Sequence, residues 1–477
     1  MHDFTLKIFD YANAVILLYF IAANLVYTLL MVISLYSVTL HAKFAGHYGH
    51  EDIANSSVAP PIALIIPAFN EEGSIVATVM SVLELNYPEK EIIVVDDGST
   101  DNTLTELIET FQLQPMSLVY RPVLPGKAPY SFHHNPDRPG LLVVCKENGG
   151  KPDAVNVGIN LARSPYFCTV DADSLIERDA LLRLIAPIFH SSVNTIVSGG
   201  IVRISNGCQV VNGTVKEIDL PPSWIERCQI VEYMRTFLFG RPAWSFMGAT
   251  FITSGAFCML HRETVILAGG FSKDTVTEDI DIIATMHEYL RKKKWKYRMV
   301  FTTDPVCWTE CPRTIDMLKR QRRRWQMGLM QTVMKHNHMI FNPRYGMLGM
   351  LSMPFHAYIE AIGCLVESFG LALVPFSFMI GAMPLSLFLL IIFLAIGYGM
   401  LLSVGSVLLQ ETTLRRYPHI RQIATLVGYA VLENLGYRQM VSLFRAQGVL
   451  RYMLGTRGWE VVSKGGVGIS RPAKVEP

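Results

Sequence analysis

Hydrophobic positions along the chain follow two rhythms. The first is a set of long unbroken apolar runs. Tyr11 to Leu40 and Pro384 to Leu409 contain no Lys, Arg, Asp or Glu, and each exceeds the roughly 20 apolar residues that cross a bilayer. Met347 to Ile380 is a third apolar block, interrupted by Glu360 and Glu367. Carboxylates at that depth should face protein or a polar channel rather than lipid. The first run is long for the apolar core of a signal peptide, and no small-residue cleavage site follows it, so it predicts a retained anchor. The second rhythm starts at Pro60, after a short polar linker over 41–59. Ile62 to Pro67 and Glu91 to Asp96 are short apolar runs that predict buried strands. Glu72 to Leu85 and Thr103 to Phe111 repeat with helical period between and after them. Leu113 to Arg138 is a Pro- and His-rich excursion. Leu141 to Val144 resumes a strand, Ala154 to Ala162 a helix, and Pro165 to Val170 a further strand. Alternation of this kind predicts an α/β domain on a mostly parallel sheet.

Four regions follow: an anchor over 1–43, an α/β domain over 60–343, two transmembrane helices over 344–410, and a remainder over 411–477. Turn 375–384 is uncharged, whereas loop 410–422 contains Arg415, Arg416, His419 and Arg421. The positive-inside rule puts that loop, and with it the α/β domain, in the cytosol of a multi-pass inner-membrane protein. Residues 423–454 could cross once, but Glu433, Arg438, Arg445 and Arg451 interrupt them, and a re-entrant or interfacial hairpin fits the charges better.

Composition agrees with a membrane protein. Of 477 residues, 50% are hydrophobic and 17% charged, too apolar for an ordinary soluble chain. The net charge of +2 and the lack of a basic tail or strongly basic region of nucleic-acid type argue against nucleic acid as a partner. No CxxC pair occurs among the eight cysteines, and no histidine completes a zinc set near Cys307 and Cys311. Reduced structural thiols are expected.

Candidate chemistry lies at the ends of the strands. Asp171 and Asp173 straddle Ala172 after Tyr166 to Val170. Ligands bind at the carboxyl ends of strands in open α/β sheets, and hard oxygens suit Mg²⁺ or Mn²⁺ that also holds phosphate; an Asx turn would use the same pair. Asp96-Asp97-Gly98-Ser99-Thr100-Asp101 either accepts hydrogen bonds from a base or ribose or caps the next helix. Asn148-Gly149-Gly150-Lys151 offers backbone N–H groups, a helix start and a cation, suited to phosphate, or a plain turn; it lacks the Walker spacing. Thr277-Glu278-Asp279 could supply a general base or only the acids of a first helical turn. In Gln321-Arg322-Arg323-Arg324-Trp325, Trp325 could stack on a sugar, Gln321 and Arg324 share its helical face, and Arg suits a leaving diphosphate. Arg324 is expected to face the site and Arg322 or Arg323 to contact anionic lipid.

Taken in order, Pro67-Ala68-Phe69-Asn70-Glu71, Asp96-Asp97-Gly98-Ser99, Asn148-Gly149-Gly150-Lys151, Asp171-Ala172-Asp173, Thr277-Glu278-Asp279 and Gln321-x-x-Arg324-Trp325 resemble the membrane-embedded family 2 glycosyltransferases, the group of cellulose, hyaluronan, chitin and poly-N-acetylglucosamine synthases. The resemblance covers roughly residues 60 to 340. It implies a GT-A fold and inverting transfer from a UDP-sugar to a glycan or lipid-linked acceptor, with Mg²⁺ or Mn²⁺. It puts Asn70, Glu71 and Asp97 around the nucleotide, Lys151 near the diphosphate, and Asp171 with Asp173 on nucleotide and metal. Asp173 would hold the metal directly, while Asp171 leans towards the ribose. Glu278 and Asp279 become the catalytic acids, with Asp279 the base, and Gln321, Arg324 and Trp325 line the acceptor end and the leaving UDP. Ser254-Gly255 resembles the loop that cradles the acceptor terminus. Gly458 to Gly465 resembles a gating loop that would use Trp459 and Lys464, although Val462 stands where such loops often have Thr; an ordered basic tail is the alternative. The expected activity is processive synthesis of a β-linked polysaccharide with coupled export, Glu360 and Glu367 lining the path and export or assembly subunits as candidate partners. The alternative is a non-processive enzyme that adds one sugar to a lipid or glycolipid. A catalytically inactive receptor or assembly subunit would be marked by loss of a catalytic acid, and none is missing.

Overall fold

The structure, a computed structural model, describes residues 2–45, 53, 59–189, 191, 193–414 and 417–455. The chain divides into two units. Of the described residues, one comprises Leu40–Leu220 and Gly248–Cys311; the other comprises 2–39, Pro221–Met247 and 312–455.

The first unit is built on the short apolar runs. Strands β1 (Ile62–Ala68), β2 (Lys90–Asp96), β3 (Gln114–Met116), β4 (Pro129–Asn135), β5 (Arg138–Lys146), β6 (Tyr166–Val170), β7 (Ser174–Ile176), β8 (Thr195–Ile204), β9 (Gln209–Val211), β10 (Thr214–Glu217), β11 (Phe257–His261) and β12 (Arg298–Thr309) form two sheets among the described residues. The large sheet runs β3-β4-β5-β2-β1-β6-β11-β8-β12-β7, and β9 pairs with β10. Ile62 to Ile66 are wholly buried, as a central strand covered on both faces requires. The helix Lys151–Leu161 lies over β1, and a methyl group at Gly158 would overlap Ile65.

The expectation of a mostly parallel sheet needs correction. Pairing is parallel for β1–β2, β1–β6, β2–β5 and β8–β12, but antiparallel for β6–β11, β8–β11, β7–β12, β3–β4 and β4–β5. The excursion before Leu141 contains the β3 and β4 edge. Its polar, Pro-containing runs lack the apolar pattern of a central strand, as edge strands often do.

Among the described residues, the second unit carries three helical stretches long and apolar enough to cross a membrane: Lys7–Leu40, Leu348–Met379 and Leu385–Thr412. Both intervening glutamates are held by protein. Tyr27 donates to Glu360 at 2.6 Å and Arg445 to the same carboxylate at 2.8 Å. Tyr19 and Ser442 donate to Glu367 at 2.9 and 2.8 Å. Beyond the last stretch, Ile420–Leu432 and Arg438–Met453 are separate helices. The backbone between them leaves helical geometry at Leu435 and Gly436, and neither helix alone reaches the roughly 20 residues of a span.

Candidate active site

The loops that follow β1 and β2 are sewn together by their own polar side chains. Asn70 takes a left-handed conformation, φ 56°. Its N–H donates to Ser99 Oγ at 3.0 Å, and its Oδ1 accepts from Thr100 N–H at 2.8 Å. Glu71 accepts from Ser74 Oγ at 2.7 Å, while its own N–H donates to Thr103 Oγ1 at 2.8 Å. Asp97 is buried. Its Oδ1 accepts from Gly149 N–H at 2.9 Å and from Lys146, and its Oδ2 accepts from Gly150 N–H at 2.7 Å. The side chain expected around the nucleotide therefore shapes the glycine loop. Gly98, at φ 75°, is needed there: a Cβ would stand 2.8 Å from Asn148 N.

Gly150, at φ 89°, turns the chain into the helix Lys151–Leu161, with Pro152 in its first turn, where a missing N–H costs nothing. Lys151 Nζ lies 2.6 Å from Asp171 Oδ1 and 3.1 Å from Glu278 Oε1. Three separated motifs thus meet on one ammonium. Burial alone would pull the Lys151 pKa down, but Asp171 and then Glu278 outweigh it and hold the ammonium above its ordinary range. Asp171 and Asp173 occupy the turn between β6 and β7. The turn is fixed by Ser174 N–H donating to Asp171 O at 3.0 Å and Thr78 Oγ1 donating to Ala172 O at 2.8 Å.

Asp279 opens the helix Glu278–Lys292. Burial, and next the charge of Glu278, push its pKa up to about 6 against the downward pull of Lys151. Ser254-Gly255 lies against it: a Cβ on Gly255 would sit 2.8 Å from Asp279 Oδ2. Thr277 precedes the helix without capping it, and its buried Oγ1 makes no hydrogen bond. Asp171, Glu278 and Asp279 all act on Lys151. Hard oxygen donors fit a divalent cation whose remaining ligands come from phosphate, although no preassembled group of three metal-ligating side chains exists among the described residues.

Sequence reasoning passed over Lys146. This lysine closes β5 with no exposed surface and bridges Asp97 and Asp153, the latter at 2.9 Å. Asp153 also takes Lys273 at 2.6 Å. Burial would raise the Asp153 pKa, but Lys273 and Lys146 hold it below the ordinary carboxylate range. The available signal was a lysine ending an apolar strand just ahead of two glycines.

In the other unit, the helix Ile315–Lys335 presents Gln321 and Arg322 buried and Trp325 partly exposed. Arg322 is held inside the protein, which leaves Arg323 as the lipid-facing candidate of the two. Arg322 donates to Glu232 at 2.8 Å and to Gln321 Oε1 at 3.1 Å, and its guanidinium lies 4.4 Å from the Trp325 ring centre. Tyr437 donates to the same Glu232 at 2.7 Å. Arg324 is half-buried on the same helix. Trp459 and Lys464 lie outside the described residues. All eight cysteines are free thiols.

Two family profiles match the chain: "Glycosyl transferase family group 2" over residues 166–402 and "Glycosyl transferase family 2" over residues 63–128. Poly-beta-1,6-N-acetyl-D-glucosamine synthases of Staphylococcus aureus and Staphylococcus epidermidis are each 29% identical over 267 residues, which is 56% of this chain and 54% of theirs. The chain thus spans about half the length of the curated relatives it matches. Among solved structures, a mannosyltransferase from Pyrobaculum calidifontis in complex with GDP-Man and Mn²⁺ aligns with a TM-score of 0.48 at 18% identity, covering 90% of this chain and 99% of the other.

Proposed function

Because the chain belongs to glycosyltransferase family 2 and carries a mixed α/β, GT-A-like sheet with long apolar helices before and after it, we propose that it transfers sugar from a UDP-sugar, with inversion, to a growing β-linked polysaccharide at the cytosolic face of a membrane. The distant homology to poly-N-acetylglucosamine synthases makes UDP-N-acetylglucosamine the first donor to try. The observation that carries this reading is Lys151 joining Asp171 and Glu278 beside an Asp279 whose pKa is lifted to about 6.

In this reading Lys151 binds the diphosphate and Glu278 serves as its counter-charge. Asp279, next to that pair, accepts the proton of the acceptor hydroxyl. The hydroxyl oxygen forms its bond to the anomeric carbon as the bond to the diphosphate breaks, and UDP leaves with the electron pair. One inversion needs one base and no second catalytic carboxylate. Mg²⁺ or Mn²⁺ held by Asp171 and Asp173 would supply positive charge to the leaving diphosphate. Asn70 and Glu71 would lie on the nucleotide side, Ser254 and Gly255 on the acceptor side, and Gln321, Arg324 and Trp325 would serve the acceptor and the leaving group.

The test is UDP release from a panel of UDP-sugars with Mg²⁺ or Mn²⁺. Asp279→Asn should lower turnover by about 10²- to 10⁴-fold while UDP binding survives. Undiminished turnover would remove Asp279 as the base. A second reading, one sugar added to a lipid, draws support from Glu360 and Glu367. Both are taken up by neighbouring helices rather than left for a glycan path. Sizing of the radiolabelled product separates the two: a polymer supports processive synthesis, and a lipid bearing one sugar supports the second reading.

A further inference from the structure

The helix Lys151–Leu161 carries a polar stripe that the proposed chemistry does not use. Asp153, Asn156 and Asn160 recur at spacings of three and four, and so lie on one face. Each grips a segment remote in sequence. Asn160 Oδ1 accepts from Val123 and Leu124 N–H at 3.1 and 2.8 Å, and its Nδ2 donates to Leu124 O at 3.0 Å. Asn156 pairs with the backbone of Phe271 in both directions: Phe271 N–H donates to Oδ1 and Nδ2 donates to Phe271 O, each at 2.9 Å. Its Nδ2 also donates to Pro125 O at 3.1 Å. Asp153 accepts from Lys127 N–H at 3.0 Å and pairs with Lys273 at 2.6 Å. Gly270, at φ 79°, presents Phe271 to this face; a Cβ there would stand 2.9 Å from Asn156 Oδ1. The gripped segment 270–273 runs directly into Thr277-Glu278-Asp279, and the helix that grips it begins with Lys151.

We propose that Asp153, Asn156 and Lys273 are positioning residues that make this helix a crossbar between the diphosphate end of the site and the Asp279 end. Asn156 fixes the height of segment 270–273 through a two-way amide pair that a carboxylate, which has no donor, and a serine, which is shorter and has a single donor, do not reproduce. The Asp153–Lys273 pair fixes its lateral position and anchors, through Lys146, to Asp97 and the glycine loop. UDP that orders Lys151 thereby orders the segment bearing the base. This rests on the transferase reading above.

Hydrogen–deuterium exchange on the full-length protein in detergent, with and without UDP and Mg²⁺, tests the coupling directly. In the wild type, UDP should raise protection over 270–281. In Asn156→Ser and Lys273→Met that gain should vanish while UDP still binds, with Kd within about threefold of the wild type. In turnover assays, kcat should fall by about tenfold or more from misplacement of the base, with KM for the donor little changed. Lys273→Arg, which can still meet Asp153, should restore both readouts. Lys273 is exposed enough (54%) that its replacement tests the idea even where Asn156→Ser folds poorly. If Lys273→Met keeps both the UDP-induced protection and the wild-type kcat, the inference is overturned. If the wild type binds no UDP, the transferase reading and this inference fall together.

Discussion

Lys146 and Lys151 lie on either side of the same glycine loop, and their surroundings are opposite in kind. Lys146 is sealed. Its side chain has 0% exposure, its partners Asp97 and Asp153 have 4% and 1%, and Lys273 supplies a second cation to Asp153. Charges in that group balance. Lys151 and Asp171 keep 26% and 29% exposure, and Lys151 faces Glu278 as well, with Asp279 beyond. More than one carboxylate shares that ammonium, and part of the set is open to solvent. A closed, balanced set holds parts of a protein in place, and removing one member strands the others in low dielectric. An open set with perturbed groups is where a ligand is expected. The two lysines should therefore fail in different ways when removed.

Lys146→Met should cost about 3–5 kcal/mol of stability, because two buried carboxylates lose their shared partner. Thermal melting in detergent would register it as a large fall or as failure to accumulate folded protein. Lys151→Met should leave the melting temperature nearly unchanged and raise KM for the donor about 10- to 100-fold, the worth of a hydrogen bond to a charged group. A stable Lys146→Met protein, or a Lys151→Met protein with wild-type KM, would erase the distinction.

The pH profile sharpens the same contrast. Asp279 acts as a base only when ionised, so kcat/KM should rise through a limb centred at about 6 and be lost as pH falls below it. Lys151 pulls that pKa down, so Lys151→Met should move the limb to higher pH. A limb that stays in place would mean that Lys151 does not sense the base.

Much of this was legible in the chain, and what was not has physical causes. Ile62 to Ala68, Lys90 to Asp96 and Thr103 to Phe111 follow from apolar runs and helical period, and the three long apolar helices follow from length and composition. The motif acids stand at strand ends because each strand announces its own end. The β3–β4 edge was hidden because an edge strand need not be apolar on either face. The antiparallel partners β11 and β8 depend on pairings between distant segments. Lys146 was hidden because a buried lysine is defined by partners far off in sequence, Asp97 and Asp153, rather than by its neighbours. The choice between Arg322 and Arg323 was open for the same reason: a basic run beside a membrane block suggests lipid, and only Glu232 and Tyr437 reveal that Arg322 is in an internal ion pair.

The smallest effect expected comes from one methyl group on the open side of the comparison. Gly255→Ala would bring Cβ to 2.8 Å from Asp279 Oδ2, closer than Cβ contacts allow. The atom it meets is the end of a short side chain, so the carboxylate should rotate off its preferred angle at a cost of about 1 kcal/mol rather than disturb the sheet. The melting temperature should hardly move. The base, however, is displaced by a fraction of an ångström, and turnover should fall by about tenfold. Donor KM should stay put, because the atoms nearest the added Cβ all belong to Asp279. A rise in KM with unchanged kcat would instead move Gly255 to the donor side of the site and detach it from Asp279's chemistry.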